Sequence, residues 1–338
     1  MTAAQRERYS RQMVFPAIGE AGQDKLLRSR VAIAGCGALG TAQASILARA
    51  GVGRLILIDR DFVELSNLQR QWLFTEADAA QGLPKAIAAA RHLREANSEC
   101  SIQAEVADLT SENIEDLLAD AELILDGLDN WETRYLINDY ALAQGKPWIY
   151  GGAVASQGVV MPVVPGRTCC LACIYPETPT GPQPSCDTAG VLGSLTATVG
   201  ALQAALALRL LVTGDAPRLL TSLDLWNGEI RQIAQPEPDP QCRACHERRF
   251  IWLEGLKRRP ISLCGRNAVQ IHERTGRIDL RELGQRLAPL GVVRQNEFAL
   301  RFSIPPYELT IFADGRAIIK GSTDPAVARS LYARYVGL

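Results

Sequence analysis

The run Val31-Ala32-Ile33-Ala34-Gly35-Cys36-Gly37-Ala38-Leu39-Gly40 decides the fold. Its four leading apolar residues read as a buried parallel strand, because a strand covered on both faces shows no polar alternation. A full G-x-G-x-x-G follows at once. Small and apolar residues then recur at helical spacing (Ala42, Ile46, Leu47, Ala50) until Gly51 and Gly53 stop the pattern. A second apolar run, Leu55-Ile56-Leu57-Ile58, ends in Asp59. Strand, glycine turn, helix, strand and acid in that order predict a nucleotide-binding βαβ unit. Gly35, Gly37 and Gly40 admit a phosphate to the backbone, the helix N-terminus faces the anion, and Asp59 is spaced to hold a ribose hydroxyl. The fold class expected is α/β, a Rossmann-like doubly wound and mostly parallel sheet.

A nicotinamide oxidoreductase would explain Gly35 to Asp59, and NADH binding would be its sign. It does not explain the next segment. Asp61-Phe62-Val63-Glu64-Leu65-Ser66-Asn67-Leu68-Gln69-Arg70-Gln71 places Asn67 and Arg70 just past the ribose strand, and Pro84-Lys85 follows. A basic clamp there suits a triphosphate, whose leaving pyrophosphate gathers negative charge. A nicotinamide ring has no such need.

With these residues in view, the chain resembles the family of ThiF, MoeB and the adenylation domains of ubiquitin-activating enzymes. The shared pattern is G-x-G-x-x-G, a ribose-binding Asp, S-N-L-Q-R-Q and P-K, and the resemblance covers roughly residues 5–250. It implies ATP and Mg2+ as cofactors, with Asp59, Asp61, Asn67, Arg70 and Lys85 about the nucleotide. Near the N-terminus, Arg8-Tyr9-Ser10-Arg11-Gln12 lies in a polar helical stretch, where two arginines ordinarily do no more than solvate a helix face. The resemblance instead implies that Arg11 reaches the nucleotide of a neighbouring subunit, and hence a homodimer. A planar, permanently charged fork suits that task.

Composition bounds the remaining choices. The chain has 338 residues, 36 basic and 37 acidic, a formal net charge of -1. That length suits about two domains with some three quarters of the surface buried. Nucleic acid as a partner finds no basic footprint. The longest apolar candidate for a membrane span, Ala201 to Val212, is short and holds Arg209, so no membrane association is expected. The N-terminal MTAAQRERYSRQ has no apolar signal core, which makes cytoplasmic the default location. In that compartment nine cysteines suggest metal binding, catalysis or burial rather than disulfides.

Further along, Leu83 to Asn97 and Asn113 to Ala119 read as helices, and Ile102 to Val106 as a strand. Ala121 to Leu125 is an apolar strand running into Asp126-Gly127-Leu128-Asp129-Asn130. Ligands bind beyond the carboxyl ends of parallel strands, so both acids fall at the active edge. A helix cap is the plain alternative for Asp129-Asn130. The family pattern D-x-x-D-N implies Asp129 as the magnesium ligand, with Asp126 supporting it. Trp148 to Tyr150 and Val159 to Val164 extend the sheet, the latter as an antiparallel platform for a protein substrate.

Cys170-Leu171-Ala172-Cys173 and Cys242-Arg243-Ala244-Cys245 are two C-x-x-C pairs. Two such pairs can close a tetrahedral four-sulfur zinc site, structural because no position stays open to water. A redox dithiol or two unrelated pairs would be the alternatives, and the same two pairs in the family favour Zn2+. Cys169 and His246 stand beside the set as bystanders. The segment Tyr175 to Gly190 carries four prolines and two glycines, so it reads as a loop crossing the site. Near its end Cys186 precedes an apolar helix, Leu192 to Val212, and a helix N-terminus lowers a thiol pKa. An isolated cysteine is ordinarily just buried. Resemblance to ThiF-like proteins implies a covalent link between this thiol and the carrier, whereas MoeB-like proteins do not clearly require it.

The expected boundaries are 1–254 for the adenylation domain and 255–338 for a small α+β accessory domain. Within the latter, the order is strand, helix (Leu280 to Leu287), strands about Phe298 to Ile304 and Tyr307 to Lys320, then a helix from Asp324 to Tyr335. A rhodanese domain to supply sulfur would need more than this piece and its one Cys264.

The resemblance thus implies adenylylation of the C-terminal carboxylate of a ubiquitin-like sulfur carrier with a Gly-Gly tail. A persulfide-bearing protein would donate the sulfur. Arg70, Lys85, Asp129, Arg11 and Cys186 are the expected catalytic set. Cys186-Asp187-Thr188 and Leu225-Trp226-Asn227 favour a thiamin-thiazole carrier of the ThiS type, and a molybdopterin-type carrier is the alternative. A silent carrier-binding scaffold would be expected to lack Arg70 or Asp129, and both are present.

Overall fold

A computed structural model describes residues 1–179, 188–256, 262–263, 268–271, 278–313 and 315–337. The chain divides into two compact units, Met1–Lys257 and Arg258–Leu338. Cys186 and Cys264 lie outside the described residues.

The first unit is built on eight strands: β1 (Arg30–Ala34), β2 (Arg54–Ile58), β3 (Ser101–Glu105), β4 (Leu123–Asp126), β5 (Trp148–Val154), β6 (Gln157–Val163), β7 (Leu219–Asp224) and β8 (Glu229–Ala234). Their order is β3-β2-β1-β4-β5-β6-β7-β8. The pairings from β3 to β5 are parallel and those from β5 to β8 antiparallel. Strand order reverses between β1 and β4, so the crevice for a ligand opens beyond their carboxyl ends.

Among the described residues, ten α-helices accompany this sheet: α1 (Ala3–Arg8), α2 (Ser10–Met13), α3 (Gly19–Arg28), α4 (Ala38–Arg49), α5 (Glu76–Gln81), α6 (Lys85–Ala96), α7 (Ile114–Leu118), α8 (Trp131–Gln144), α9 (Leu171–Ile174) and α10 (Gly193–Thr213). The apolar runs of β1 and β2 have no polar alternation because both faces are covered. Val31, Ile33, Leu55 and Leu57 join one core with residues of α4, α6 and α10. Ala32, Ala34, Ile56 and Ile58 join a second with α7, α8 and both cysteine pairs. The doubly wound sheet with an antiparallel extension is as expected.

Three differences have physical causes. All six residues of β8 are exposed, so this strand carries no apolar run that patterning could register. The apolar helix expected from Leu192 to Val212 forms as α10, but its apolar stretch is longer than the short Ala201 to Val212 run expected as the longest span candidate. At 21 residues, α10 has the length and composition of a membrane span. It is nevertheless half inside the fold, and its buried Gln203 donates from Nε2 to the carbonyls of Asp126 and Ile149.

The third concerns the second unit, whose described residues form a six-stranded antiparallel sheet with two α-helices. Its elements are β9 (Ser262–Leu263), β10 (Ala268–Ile271), α11 (Leu280–Leu287), β11 (Val292–Gln295), β12 (Ala299–Ile304), β13 (Tyr307–Phe312), β14 (Ala317–Lys320) and α12 (Pro325–Tyr335). The strand order is β11-β12-β13-β14-β10-β9. Tyr307 to Lys320, expected as one strand, is a hairpin turning near Gly315, whose φ of 90° is a glycine conformation. Its core gathers Leu283, Leu287, Phe302, Leu309, Ile319 and Tyr332.

Candidate active site and metal centre

The glycine turn leaves β1 with each glycine doing a different job. Gly35 adopts φ 92°, and a Cβ there would lie 2.6 Å from the Gly127 carbonyl oxygen. A Cβ on Gly40 would lie 1.8 Å from the Gly35 carbonyl oxygen. Both positions are therefore closed to any side chain by the backbone itself. Gly37, which starts α4, would meet nothing nearer than 3.8 Å. Its missing side chain clears space rather than enabling packing.

Asp59, at the end of β2, is tied to this turn. Its Oδ2 accepts from the Cys36 N–H at 2.7 Å, and its Oδ1 accepts from the Asp61 N–H at 2.7 Å. Burial pushes the carboxyl up in pKa, Lys85 nearby pulls it back, and Asp61 raises it again. The acid thus ties the end of β2 to the glycine turn and to the start of the following loop.

The P-K dipeptide arrives by a short antiparallel bridge between Phe62 and Pro84. Val63 N–H donates to the Leu83 carbonyl at 2.9 Å, and Lys85 N–H to the Asp61 carbonyl at 2.8 Å. This places Lys85 Nζ 3.0 Å from Asp61 Oδ2. Arg60 donates from Nη1 to both oxygens of Asp108, at 2.9 and 2.8 Å. Asn67 is buried and accepts from the Glu64 N–H at 3.0 Å, which fixes the turn ahead of Arg70. Arg70 is half-buried and donates from Nη1 to the Ser66 carbonyl at 2.9 Å.

Arg11 lies on α2 and is exposed, while its neighbours are pinned. Tyr9 is buried and its hydroxyl accepts from Asn97 Nδ2 at 2.9 Å. Gln12 Nε2 donates to Gln23 Oε1 at 2.7 Å and to the Ala50 carbonyl at 2.8 Å. Val14 and Phe15 just beyond are 75% and 59% exposed.

At the carboxyl end of β4, the two acids have opposite surroundings. Asp126 is wholly buried. Its Oδ1 accepts from the Leu128 N–H at 2.8 Å, and its Oδ2 from Arg134 Nε at 2.9 Å. Arg134 Nη2 donates in turn to the carbonyls of Leu128 and Gly151, at 2.6 and 2.9 Å. The guanidinium also packs over the Tyr150 and Trp131 rings, 5.3 and 5.7 Å from their centroids. Burial raises the Asp126 pKa, and Arg134 together with the N–H groups of Leu128 and Gly151, the latter 3.3 Å from Oδ2, opposes it. Asp129 is exposed and sits between this anchored loop and the Asn130 cap of α8, which accepts from Thr133 N–H at 2.9 Å. An exposed carboxylate on a fixed loop can serve a divalent cation.

The two cysteine pairs come together. Sγ distances are 3.7 Å for Cys170–Cys173, 3.6 Å for Cys170–Cys242 and 3.4 Å for Cys173–Cys245, and all four lie within 4.8 Å of one another. Tetrahedral bonds of about 2.3 Å need sulfurs about 3.8 Å apart, so the set fits one metal ion. Cys169 stands outside this cluster; its thiol faces Gln235 Oε1 at 3.7 Å.

Residue patterning overlooks several groups that build the site. Arg134, Asn138 and Asp139 look like ordinary polar residues of a helix. The available signal is that they interrupt a segment buried from Arg134 to Leu142, where charges must be paired. Gln43 and Gln203 are likewise buried, and each donates to the Asp126 carbonyl at 2.9 Å.

Similarity to known proteins agrees with this geometry. The ThiF family model matches residues 9–244. The sulfur carrier protein ThiS adenylyltransferase of Bacillus subtilis is 42% identical over 334 residues, 98% of this chain and 99% of its own. The SAMP-activating enzyme E1 of Haloferax volcanii is 37% identical over 73% of this chain and 91% of its own. The adenylyltransferase and sulfurtransferase MOCS3 of Anopheles gambiae is 38% identical over 71% of this chain and 55% of its own. Among solved structures, E. coli MccB with ATP superposes with a TM-score of 0.61 at 25% identity, covering 70% of this chain and 74% of that one.

Proposed function

Because the chain belongs to the ThiF family, we propose that it adenylylates the C-terminal carboxylate of a ThiS-like, ubiquitin-like sulfur carrier with ATP. The carrier carboxylate attacks the α-phosphorus, pyrophosphate leaves, and carrier acyl-AMP forms. A carboxylate is already ionised at neutral pH, so no general base is needed. Catalysis is then positioning and charge stabilisation.

The observation that carries this reading is the convergence, beyond β1, β2 and β4, of the cleared glycine turn, the stapled Asp59 and the exposed Asp129. In this reading Gly37 makes room for phosphates and Asp59 takes the ribose. Asn67, Arg70 and Lys85 face the triphosphate, with Asp61 holding Lys85. Asp129 would hold Mg2+, which supplies positive charge beside the phosphates. Arg11 completes the site of a second subunit, a role supported by its exposure next to Val14 and Phe15. Cys170, Cys173, Cys242 and Cys245 hold a structural Zn2+. Cys186 takes the outer sulfur of a persulfide-bearing protein, which leaves as a thiol, and the resulting Cys186 persulfide displaces AMP from the carrier acyl-AMP to give the covalent link. The chain acts in the cytoplasm.

The thiazole branch is favoured because the Bacillus relative matches through the C-terminal unit, whereas the Haloferax and Anopheles relatives match under three quarters of the chain. A molybdopterin-type carrier is the second reading. Carrier-dependent ATP–pyrophosphate exchange decides between them, using a ThiS-type carrier, a molybdopterin-type carrier and tail-truncated controls. Exchange with the intact ThiS-type carrier alone is expected. Exchange with the other alone reassigns the pathway, and exchange with neither refutes the reaction.

A further inference from the structure

Both halves of the four-cysteine centre are held by two consecutive residues of α8. Asn138 is fully buried, and its Oδ1 accepts from the N–H of Leu171, the residue after Cys170, at 3.0 Å. Asp139 is fully buried too. Its Oδ1 and Oδ2 accept from Arg243 Nη1 at 3.1 and 3.2 Å, and Arg243 lies between Cys242 and Cys245. Asp139 Oδ2 also accepts from the Trp252 N–H at 3.0 Å, so it binds the chain after the second pair as well. One turn earlier, Tyr135 stacks on Trp252 with centroids 5.6 Å apart and lies 5.8 Å beneath the Arg243 guanidinium.

The opposite end of the same helix is fixed to the nucleotide edge. Asn130 caps it directly after Asp129, and Arg134 locks it to Asp126, Leu128 and Gly151. Arg134 and Asp139 are about 7.5 Å apart along the axis at a helical rise of 1.5 Å per residue. The helix between them is buried.

We propose that Asn138 and Asp139 are positioning residues for the zinc centre, and that this centre anchors the helix that presents Asp129. Thiolates from two distant segments must be brought to one tetrahedron, and a pre-set receptor on α8 reduces the disorder that the metal itself must overcome. Two donors support the assignment. Asn138 Nδ2 and Arg243 Nη2 are both buried with no acceptor among the described residues. Buried N–H groups ordinarily find acceptors, and a divalent ion on four thiolates leaves a net charge of about -2 for such donors to offset.

The inference rests on zinc occupying the four-cysteine site, and its test separates the two. Metal content of the purified full-length chain comes first; no zinc would remove the premise whatever α8 does. With zinc bound, its release to a chromogenic chelator is timed for the native chain, Asp139→Asn and Asn138→Ala. Release roughly ten-fold faster or more is expected for both variants, in line with partners that orient metal ligands elsewhere. Unchanged rates in folded variants overturn the proposal. If a variant fails to fold, hydrogen exchange on the native chain before and after chelation keeps the question open to refutation. Amides of Arg134–Leu142 should lose at least ten-fold in protection on metal removal, while those of α4 keep theirs. Equal protection in α8 with and without metal overturns the anchoring role.

Discussion

Lys85 Nζ lies 3.0 Å from Asp61 Oδ2, with the lysine side chain 4% and the aspartate side chain 16% exposed. A lysine removed from water needs a partner, and here the partner sits two residues from the acid assigned to the ribose. Asp61 also receives the Lys85 backbone N–H, so chain and side chain are fixed together. A triphosphate entering the crevice would share Lys85 with Asp61 rather than find a loose cation. Lys85→Ala should therefore lower carrier-dependent pyrophosphate exchange by about 10²–10³-fold, the usual cost of losing one preorganised charge donor. Asp61→Asn should chiefly raise the KM for ATP, with a smaller loss in kcat. Wild-type exchange by Lys85→Ala would remove Lys85 from the mechanism.

The two acids after β4 should separate stability from activity. Asp126 is the buried counterion of Arg134, and truncating one partner of such a pair costs about 3–5 kcal/mol. Asp126→Ala is thus expected to lower the thermal midpoint sharply. Asp129 is exposed and has no hydrogen bond or ion pair among the described residues. Asp129→Ala should leave the midpoint and zinc content unchanged while abolishing magnesium-dependent exchange. An active Asp129→Ala protein would rule out its role as the magnesium ligand.

What could be read from the chain alone follows a physical divide. The glycine turn, Asp59 and the cysteine pairs are legible because their chemistry is local: spacing along the chain nearly fixes spacing in space. Arg134 is not, because an arginine in a helix declares its partner only when β4 and β5 close over it. The same holds for Asn138 and Asp139, whose partners lie on segments far along the chain. Lys85 could be named from P-K, but not its hold on Asp61, which depends on the Phe62–Pro84 bridge. The hairpin in the second unit did leave a local sign, Asp314-Gly315, a strong turn dipeptide that an apolar reading of Tyr307 to Lys320 passes over. Cys186 falls outside the described residues and keeps only its sequence argument.

Acid should expose a stabilising contact on the approach to Lys85. Asp78 is buried, and burial alone would raise its pKa. Hydrogen bonds from His92, at 2.7 Å, and from the Thr75 N–H and hydroxyl, each at 2.8 Å, outweigh this and leave it lowered. A carboxyl lowered on folding contributes stability above its unfolded pKa of about 3.9 and loses it as pH falls through the folded value. Denaturant unfolding of the native chain and Asp78→Asn should thus differ most near pH 5 and converge toward pH 3. A difference that stays constant over that window would show that the charge of Asp78 contributes nothing.

Arg11 offers a test of shared active sites that does not depend on a structure of the pair. It is exposed on α2, beside Val14 and Phe15, and Leu65 and Trp72 on the segment bearing Arg70 are 69% and 57% exposed. Apolar side chains bared beside both arginines are what a closed two-fold interface would cover. If Arg11 serves the partner's nucleotide, Arg11→Ala and Asp129→Ala homodimers are each inactive. Mixed dimers place both lesions in one site and leave the other intact. Random re-association of equal amounts should restore about a quarter of wild-type exchange, since half the dimers are mixed and each has one good site. If Arg11 serves its own subunit's nucleotide, every site in the mixture carries one lesion or the other and exchange stays at background. The same mixture in analytical ultracentrifugation reports whether dimers form at all, so that a monomer is not mistaken for a cis-acting arginine.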